Sequence, residues 1–195
     1  VIGDIADAQA LTNAMQSFQP EFVFHLAAQA LVKKSYQDPI STIRSNVLGS
    51  AHLLDAVRVC QSVRSLVYIT SDKCYENAEW VWGYRENDQL GGHDPYSASK
   101  AAAEIVFSAF NRSYFLSRPT LGTATVRAGN VIGGGDWAND RIIPDCIRAI
   151  ESERVIHLRN PKATRPWQHV LEPLRGYLML AEQLVAGAEG TDSAW

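Results

Sequence analysis

The stretch Asp94-Pro-Tyr-Ser-Ala-Ser-Lys-Ala-Ala-Ala-Glu104 organises the rest of the chain. Proline is well tolerated at the first position of a helix, so Pro95 after Asp94 predicts a helix start. Small and apolar residues continue the pattern as far as Phe110, which predicts a helix through this segment. Tyr96 and Lys100 are four residues apart and therefore share one helix face. An ammonium beside a phenol lowers the pKa of the phenol, so the pair predicts Tyr96 as a general base.

The composition is that of a globular protein with one domain. Its 195 residues contain 46% hydrophobic residues, which is enough for a core. The net charge of −3, without a basic block, argues against nucleic acid as a partner. We expect no membrane partner, because no apolar run is long enough to cross a bilayer and no leader is visible. Scattered cysteines predict reduced thiols in a cytoplasmic protein, and the spacing of the histidines predicts no metal site.

Apolar runs of strand length alternate with helical patterns along the chain. Strands are predicted at 22–26, 66–70, 123–127 and 155–158. Helices are predicted at 7–18, 40–61 and 144–151, from Pro95 onward, and from Pro173 onward. This alternation predicts an α/β fold with a parallel sheet covered on both faces. Ligands of such sheets bind beyond the carboxyl ends of the strands, where Gln29, Ser71-Asp72-Lys73 and Asn130 stand.

Short motifs gather at these strand ends and helix starts. They are Gly3-Asp4-Ile5, His25-Leu-Ala-Ala28, Asn46, Thr70-Ser-Asp-Lys-Cys-Tyr75, Tyr96-x-x-x-Lys100 and Arg127-x-x-Asn130. Together they resemble the extended short-chain dehydrogenase/reductase family. Three further motifs resemble the nucleotide-sugar 4,6-dehydratases of that family, namely Gly133-Gly-Gly-Asp-Trp137, Asp140-Arg-Ile-Ile-Pro144 and Arg165-Pro-Trp-Gln-His-Val170.

The resemblance implies a Rossmann-like, doubly wound parallel sheet. Residues 1–130 would form a partial NAD-binding domain with the catalytic residues. Residues 131–195 would form part of a nucleotide-sugar-binding lobe, interleaved with the last Rossmann elements. The glycine-rich phosphate loop of the family is missing from the sequence, so we expect an internal fragment that lacks the N-terminal strand–helix units.

The activity implied by the resemblance is the dehydration of a nucleotide sugar, CDP-glucose, with NAD as an internal hydride store. Tyr96 would remove the proton of the C4 hydroxyl, Ser71 would bond that hydroxyl, and Lys100 would also hold the nicotinamide ribose. Loss of water across C5–C6 needs an acid and a base. Asp72 is the expected acid. Lys73 stands where related dehydratases carry glutamate, and its role as base or as stabiliser of the enolate stays open.

The resemblance also implies binding residues. Cofactor contacts are expected from Asp4, Ile5, Leu26, Ala27, Ala28, Tyr96 and Lys100. Substrate contacts are expected from Gln29, Asn130, Arg141, Arg165 and His169, since guanidinium groups suit the oxygens of a diphosphate. Asn46 is expected to be a structural hydrogen-bonding residue. Members of the family commonly form oligomers, so the resemblance also implies a homo-oligomer formed through the helices at 40–61 and 95–115.

A dehydratase of the same family that acts on another sugar nucleotide stays open, and so do three other functions. A 4-epimerase would use the serine, tyrosine and lysine but would need no acid–base pair after the serine. A decarboxylase would need a cation for a C6 carboxylate, which Lys73 could supply. A non-catalytic dinucleotide-binding regulator usually loses the tyrosine or the lysine, whereas Tyr96 and Lys100 are both present. Asp72 and Lys73 therefore favour the dehydratase.

Overall fold

The computed structural model describes residues 2–188, 190 and 193–195, which divide into two compact units. The first unit contains the described residues up to 128 and from 176 onward, and the second contains Gly129–Arg175. The first unit carries a parallel sheet with helices on both faces. The second is small and built around a pair of two-residue strands.

The elements follow one another in strand–helix order. The strands of the first unit are β1 (Phe22–His25), β2 (Ser65–Ile69) and β3 (Gly122–Val126). Its helices are α1 (Ala8–Phe18), α2 (Val32–Gln37), α3 (Pro39–Ile43), α4 (Gly49–Val59) and α5 (Pro95–Phe110). Short π-helical segments at Arg44–Leu48 and Asn111–Phe115 join α3 to α4 and extend α5. The second unit holds β4 (Val131–Ile132), α6 (Ile142–Glu151) and β5 (Gln168–His169), and α7 (Leu171–Ala186) includes the boundary between the units.

The main sheet is parallel, as the sequence predicts. Its order is β1-β2-β3, and Val67 in the middle strand lies opposite both Phe24 and Ala124. A further parallel bridge joins Thr125 to Ala194, with the Trp195 amide donating to the Thr125 carbonyl at 3.0 Å. The carboxyl ends of the three strands therefore meet at one edge, which is where the candidate catalytic residues follow β2.

Both faces of this sheet are buried. Leu66 and Tyr68 of β2 belong to a core cluster that includes Leu54 and Phe107, from α4 and α5. Val67, between them, belongs to a second cluster with Leu180 and other residues of α7. Because successive strand residues point to opposite faces, this alternation confirms a sheet covered on both sides. Each buried aliphatic or aromatic side chain contributes roughly 1.5–3 kcal/mol to the stability of this arrangement.

The predicted strand at 155–158 is wrong. These residues have no strand partner, and Val155, Ile156 and Leu158 are all exposed. The short sheet of the second unit is instead formed by β4 and β5, through Val131 opposite Gln168 and Ile132 opposite His169. An apolar run alone does not make a strand, because its backbone groups also need a partner in register.

The predicted helix at 40–61 is present but not regular. It begins at Pro39, with Asp38 Oδ1 accepting from the Ser41 amide at 3.0 Å, and passes through the π-helical segment Arg44–Leu48. The helices predicted to start at Pro144 and Pro173 begin two residues earlier, at Ile142 and Leu171. Proline is tolerated throughout the first turn, where amide groups have no helical partner, so it marks the start only approximately.

Candidate active site

Ser71, Asp72 and Lys73 lie on a single helical turn directly after β2. Ser71 begins this turn, Asp72–Cys74, by accepting a hydrogen bond from the Lys73 amide at 3.2 Å. The Ser71 hydroxyl donates to Asp72 Oδ1 at 3.0 Å. Ser71 is buried, Asp72 is half-buried and Lys73 is exposed. The turn therefore places a hydroxyl and a carboxylate in hydrogen-bond contact at the carboxyl edge of the sheet.

The start of α5 is fixed by a capping aspartate. Asp94 Oδ1 accepts from the amides of Tyr96 and Ser97, both at 3.0 Å, and its Oδ2 accepts from the Ser97 hydroxyl at 2.6 Å. The Tyr96 amide also donates to the Ser35 hydroxyl oxygen at 3.2 Å. These bonds satisfy amides that have no partner within the helix, and they hold the turn that carries Tyr96.

Tyr96 and Lys100 are both buried where α5 meets the turn Asp72–Cys74. Their exposures are 8% and 6%, and α5 packs directly against that turn. The structure thus brings the predicted serine turn and the predicted tyrosine–lysine pair together within the first unit. A hydroxyl, a phenol and an ammonium, which are groups that can exchange protons with a substrate hydroxyl, are thus carried on adjacent elements.

Burial lowers the pKa of Lys100 to about 8, while Glu104 and Cys74 act in the opposite direction. Burial, and then the charge of Lys100, lower the pKa of His25 on β1 to about 4. Burial raises the pKa of Cys74 to about 12. The neutral forms of His25 and Cys74 are therefore favoured near pH 7, and Cys74 has the character of an apolar filler rather than a nucleophile.

A cleft of about 630 Å³ opens beyond the end of β1. Its lining consists of Gly3, Asp4, Ile5, Ala27, Ala28, Gln29, Lys34, Ser41 and Ser45. Small side chains at Gly3, Ala27 and Ala28 let a ligand approach the backbone closely, and this suits an extended dinucleotide. The Asp4 carboxylate accepts from the Ala6 amide at 2.9 Å, so it is already oriented. Leu26 is not in the lining and is 53% exposed, so its role in cofactor binding stays a prediction.

Asn46 connects the loop at this cleft to the helix that carries Tyr96. Its Nδ2 donates to the Gln29 carbonyl at 3.0 Å and to the Ser99 hydroxyl oxygen at 2.9 Å, while its Oδ1 accepts from the Gln29 amide at 2.8 Å. The Ser99 hydroxyl in turn donates to the Tyr96 carbonyl at 2.7 Å. Asn46 is almost wholly buried. Its contacts are those of a structural residue, as the sequence predicts.

The side chain of Gln29 is largely engaged within its own loop. Its Nε2 donates to the Leu31 carbonyl at 3.1 Å and to Thr42 Oγ1 at 2.9 Å, and its Oε1 accepts from the Leu31 amide at 2.6 Å. A contact from Gln29 to substrate would have to use the remaining surface of the residue or break one of these bonds. Gln29 as a substrate-binding residue stays a prediction.

The other predicted substrate residues all belong to the second unit. Asn130 accepts at its carbonyl from the Gln168 amide at 3.0 Å, and His169 Nδ1 accepts from the Leu171 amide at 3.3 Å. Arg141 Nε lies 3.1 Å from Asp136 Oδ2, an ion pair whose geometry falls short of a hydrogen bond. Arg165 is exposed and donates to the Thr164 carbonyl at 2.7 Å. The roles of these four residues toward substrate also stay predictions.

Sequence reasoning gave no role to a buried ion pair beside Lys100. Glu104 Oε2 accepts from Arg127 Nη2 at 2.8 Å, and both side chains are less than a tenth exposed. Glu104 lies one turn after Lys100 on α5, within an otherwise small and apolar stretch. The ion pair could have been identified from Glu104, because an acidic residue within a small and apolar stretch of helix would be buried and would need a partner.

Among the helices of the described residues, none is both long and apolar enough to cross a bilayer. Within the same part of the chain, no group of three or more histidine, cysteine, aspartate or glutamate side chains is placed to hold a metal ion.

Comparison with known proteins identifies the family. A model described as the NAD dependent epimerase/dehydratase family matches residues 1–193. The chain is 52% identical over its whole length to CDP-glucose 4,6-dehydratase of Salmonella typhimurium, and it spans 55% of that protein. It is 33% identical to UDP-glucose 4-epimerase of Mycolicibacterium smegmatis over 65% of this chain and 40% of the relative.

Solved structures agree with these relatives. The crystal structure of dTDP-glucose 4,6-dehydratase DesIV from Streptomyces venezuelae, with NAD bound, matches with a TM-score of 0.83 at 25% identity. The match covers 99% of this chain and 56% of that one, so the chain spans about half the length of the relatives it matches. The parallel sheet is therefore Rossmann-like, and the chain belongs to the NAD dependent epimerase/dehydratase family.

Proposed function

We propose that the full-length protein is a CDP-glucose 4,6-dehydratase, which converts CDP-D-glucose to CDP-4-keto-6-deoxy-D-glucose and water. The observation that carries this proposal is a carboxylate, Asp72, in contact with Ser71 on the turn that packs against the Tyr96–Lys100 helix. A dehydratase needs such an acid beside its oxidation site, and an epimerase does not. The 52% identity to a CDP-glucose 4,6-dehydratase supports the same conclusion.

Oxidation at C4 requires removal of the hydroxyl proton. Tyr96 accepts that proton, and the buried ammonium of Lys100 stabilises the resulting phenolate. The Ser71 hydroxyl, held at the strand end, bonds the C4 oxygen and fixes its orientation. NAD, when bound, supplies the reversible hydride acceptor for this chemistry. We assign its adenosine end to Asp4 and Ile5, and its passage along the backbone to Ala27 and Ala28, all of which line the cleft. We assign its nicotinamide ribose to Lys100.

Elimination across C5–C6 follows because a ketone at C4 acidifies the C5 proton. We assign Asp72 as the acid that protonates the departing C6 hydroxyl, since it lies beside Ser71. Lys73 is exposed next to Asp72. It would either take the C5 proton as the base of the elimination, or stabilise the negative charge of the developing enolate while a second base takes that proton. In the second unit, Asn130, Arg141 and Arg165 are assigned to the substrate diphosphate, and His169 to the sugar.

We also propose that the protein is a cytoplasmic homodimer. The helical segments 39–59 and 95–115 carry apolar residues that the monomer leaves exposed, among them Leu48 at 49% and Ile105 at 59%. Apolar side chains of this kind gain free energy when a second copy covers them.

The assay that tests the proposal uses the full-length protein, CDP-glucose and catalytic NAD. The expected product is a 4-keto-6-deoxy sugar, detected by its absorbance in alkali and by loss of the C6 hydroxyl in the mass. Tyr96→Phe and Asp72→Asn should each lower kcat by about 10²–10⁴-fold, the usual contribution of a general acid or base. Tyr114→Phe is the matched control, because Tyr114 is exposed beyond the end of α5 and should retain full activity.

A 4-epimerase is the second candidate. It is supported by the 33% identity to a UDP-glucose 4-epimerase and by the presence of Ser71, Tyr96 and Lys100. The same assay separates the two, since an epimerase would release the 4-epimer and would retain activity in Asp72→Asn.

A further inference from the structure

A buried carboxylate lies one helical turn beyond Lys100 and bonds two strands of the sheet. Glu104 is 4% exposed. Its Oε1 accepts from the Thr70 hydroxyl at the end of β2, and its Oε2 accepts from the Thr125 hydroxyl of β3 at 3.0 Å. Arg127, directly after β3, donates to the same Oε2 at 2.8 Å. One side chain of the catalytic helix is thus bonded to the carboxyl ends of two neighbouring strands.

Arg127 is itself held on its other side. Its Nη1 donates to the Tyr75 hydroxyl at 3.0 Å and to the Glu86 carbonyl at 2.8 Å, and its guanidinium lies 5.0 Å from the centre of the Tyr75 ring. Burial alone would lower the pKa of Arg127, but its hydrogen bond and ion pair with Glu104 raise it above the ordinary value. The arginine therefore stays charged and anchors Glu104 from the strand side.

These contacts meet at the elements that carry the proposed chemistry. Thr70 precedes Ser71 in sequence, so the bond from Thr70 to Glu104 ties the serine strand to α5. The Thr70 amide also donates to the Val126 carbonyl at 2.9 Å, which joins β2 to β3 just before Arg127. Glu104 and Lys100 are four residues apart on α5, so the carboxylate lies on the same side of the helix as the ammonium.

We propose that Glu104, anchored by Arg127, is a positioning residue that holds the Tyr96–Lys100 helix against the Ser71 strand and keeps Lys100 positively charged during turnover. The inference rests on the proposed function, because it assigns a role within the same site. Lys100 is buried, and burial favours its neutral form. The negative charge of Glu104 opposes this effect and so preserves the cation that stabilises the Tyr96 phenolate.

The other ionisable groups around Lys100 do not share this role. Cys74 on the turn after β2 and His25 on β1 interact electrostatically with Lys100, but burial places the pKa of the thiol at about 12 and that of the imidazole at about 4. The charged side chains on the helical segments packed against α5 are Lys33, Lys34, Arg44, Asp55, Arg58 and Arg112, and all of them are exposed to solvent. His52 on α4 is half-buried and lies 3.4 Å from the Ile5 carbonyl. At the edge of the site, Asp72 is half-buried and Lys73 is exposed.

The test is the pH profile of kcat for the full-length enzyme with CDP-glucose, measured from about pH 6 to about pH 10. Glu104→Gln removes the charge but keeps an oxygen acceptor, so Lys100 should lose its proton more readily. We expect the alkaline limb of the profile to move to lower pH, by on the order of one pH unit. Glu104→Asp restores the charge and should return the limb toward its original position.

Two further variants separate this role from a purely structural one. The double variant Glu104→Gln, Arg127→Gln leaves no unpaired guanidinium in the core. It should move the alkaline limb in the same direction but by less, because a positive charge is removed together with the negative one, and it keeps the test valid if the single variant folds poorly. Glu182→Gln removes an exposed glutamate of α7 and should leave the profile unchanged. A uniform loss of kcat in the Glu104 variants, with the alkaline limb in place, would overturn the proposal.

A titration of Lys100 itself needs no turnover. ¹³C NMR of lysine-labelled protein, with the signal assigned by Lys100→Arg, should show its midpoint lowered in Glu104→Gln. If wild-type protein does not dehydrate CDP-glucose, the proposed function fails while this titration still decides the role of Glu104. An unchanged Lys100 midpoint overturns the inference whatever the substrate.

Discussion

His25 is a buried imidazole at the end of β1, and only 5% of it is exposed. Its Nε2 lies 2.9 Å from the hydroxyl oxygen of Ser50 on α4. Ser50 donates to the Asn46 carbonyl at 2.7 Å, so the histidine nitrogen is the donor in its bond to Ser50. The neutral ring is therefore part of the polar core under the site.

This histidine should make the protein sensitive to acid. Burial lowers the pKa of His25 from 6.5 to about 4. Between pH 6.5 and pH 4, therefore, His25 is protonated in the unfolded chain but not in the folded one. The resulting stabilisation is present above pH 6.5 and is lost as pH falls toward 4, by roughly 3 kcal/mol in all. Urea unfolding of full-length wild type and His25→Gln should give free energies whose difference changes with pH across this window. If the free energies of wild type and His25→Gln differ by the same amount at every pH, the prediction is contradicted. The control is His157→Gln at an exposed position, whose difference from wild type should not change with pH.

Spacing predicted some parts of the site and not others. Tyr96 and Lys100 could be found because a helix places residues four apart on one face. Glu104 follows at the same interval, yet its partners Thr70, Thr125 and Arg127 come from strands that only the folded sheet brings to it. Lys100 could be predicted as an ammonium near a phenol, whereas the burial that lowers its pKa depends on tertiary packing.

Helix α5 shows how a local signal fixes an element and, through it, a functional group. Pro95 and Asp94 predicted its first turn, and the structure places Asp94 as the cap of that turn. The π-helical segments at Arg44–Leu48 and Asn111–Phe115 could not be predicted, because helical propensity carries no information on a shift of the hydrogen-bond register. The segment 155–158 was mistaken for a strand because periodicity does not show whether a partner strand exists.

The cap of α5 should affect catalysis as well as stability. Asp94→Ala removes the bonds to the Tyr96 and Ser97 amides and should destabilise the protein by about 1 kcal/mol. Because the same turn carries Tyr96, kcat should also fall. Asp7→Ala is the matched control, since Asp7 caps α1 by accepting from the Ala10 amide at 3.0 Å, on a different element from Tyr96. Because Asp7 also bonds the Asp4 carbonyl beside the cleft, kcat is compared at saturating NAD. Equal losses of stability with kcat reduced only in Asp94→Ala are expected. An unchanged kcat in Asp94→Ala would show that the cap does not position Tyr96.

In the molecule as a whole, the helical segments 39–59 and 95–115 carry exposed apolar residues that a second copy of the chain would cover. Mixed apolar and polar faces on these helices left the oligomeric state undecided from sequence, and the proposed dimer would bury the exposed Leu48 and Ile105. Light scattering of the full-length protein should report a dimer. Leu48→Lys with Ile105→Lys should convert it to a monomer by placing charges in the interface. Val81→Lys, on a highly exposed loop residue, should leave the dimer intact, and a wild-type monomer would contradict the proposal.

In the proposed reaction, one site oxidises C4 and returns the same hydride to C6 of one sugar. The most direct measurement supplies the full-length protein with CDP-glucose deuterated at C4 and locates the label in the product by NMR. We predict a 4-keto-6-deoxy sugar with deuterium at C6, since Asp72 beside Ser71 permits loss of the C6 hydroxyl between the two hydride transfers. Deuterium recovered at C4 of a 4-epimer would contradict it, and would assign the turn Ser71-Asp72-Lys73 to an epimerase.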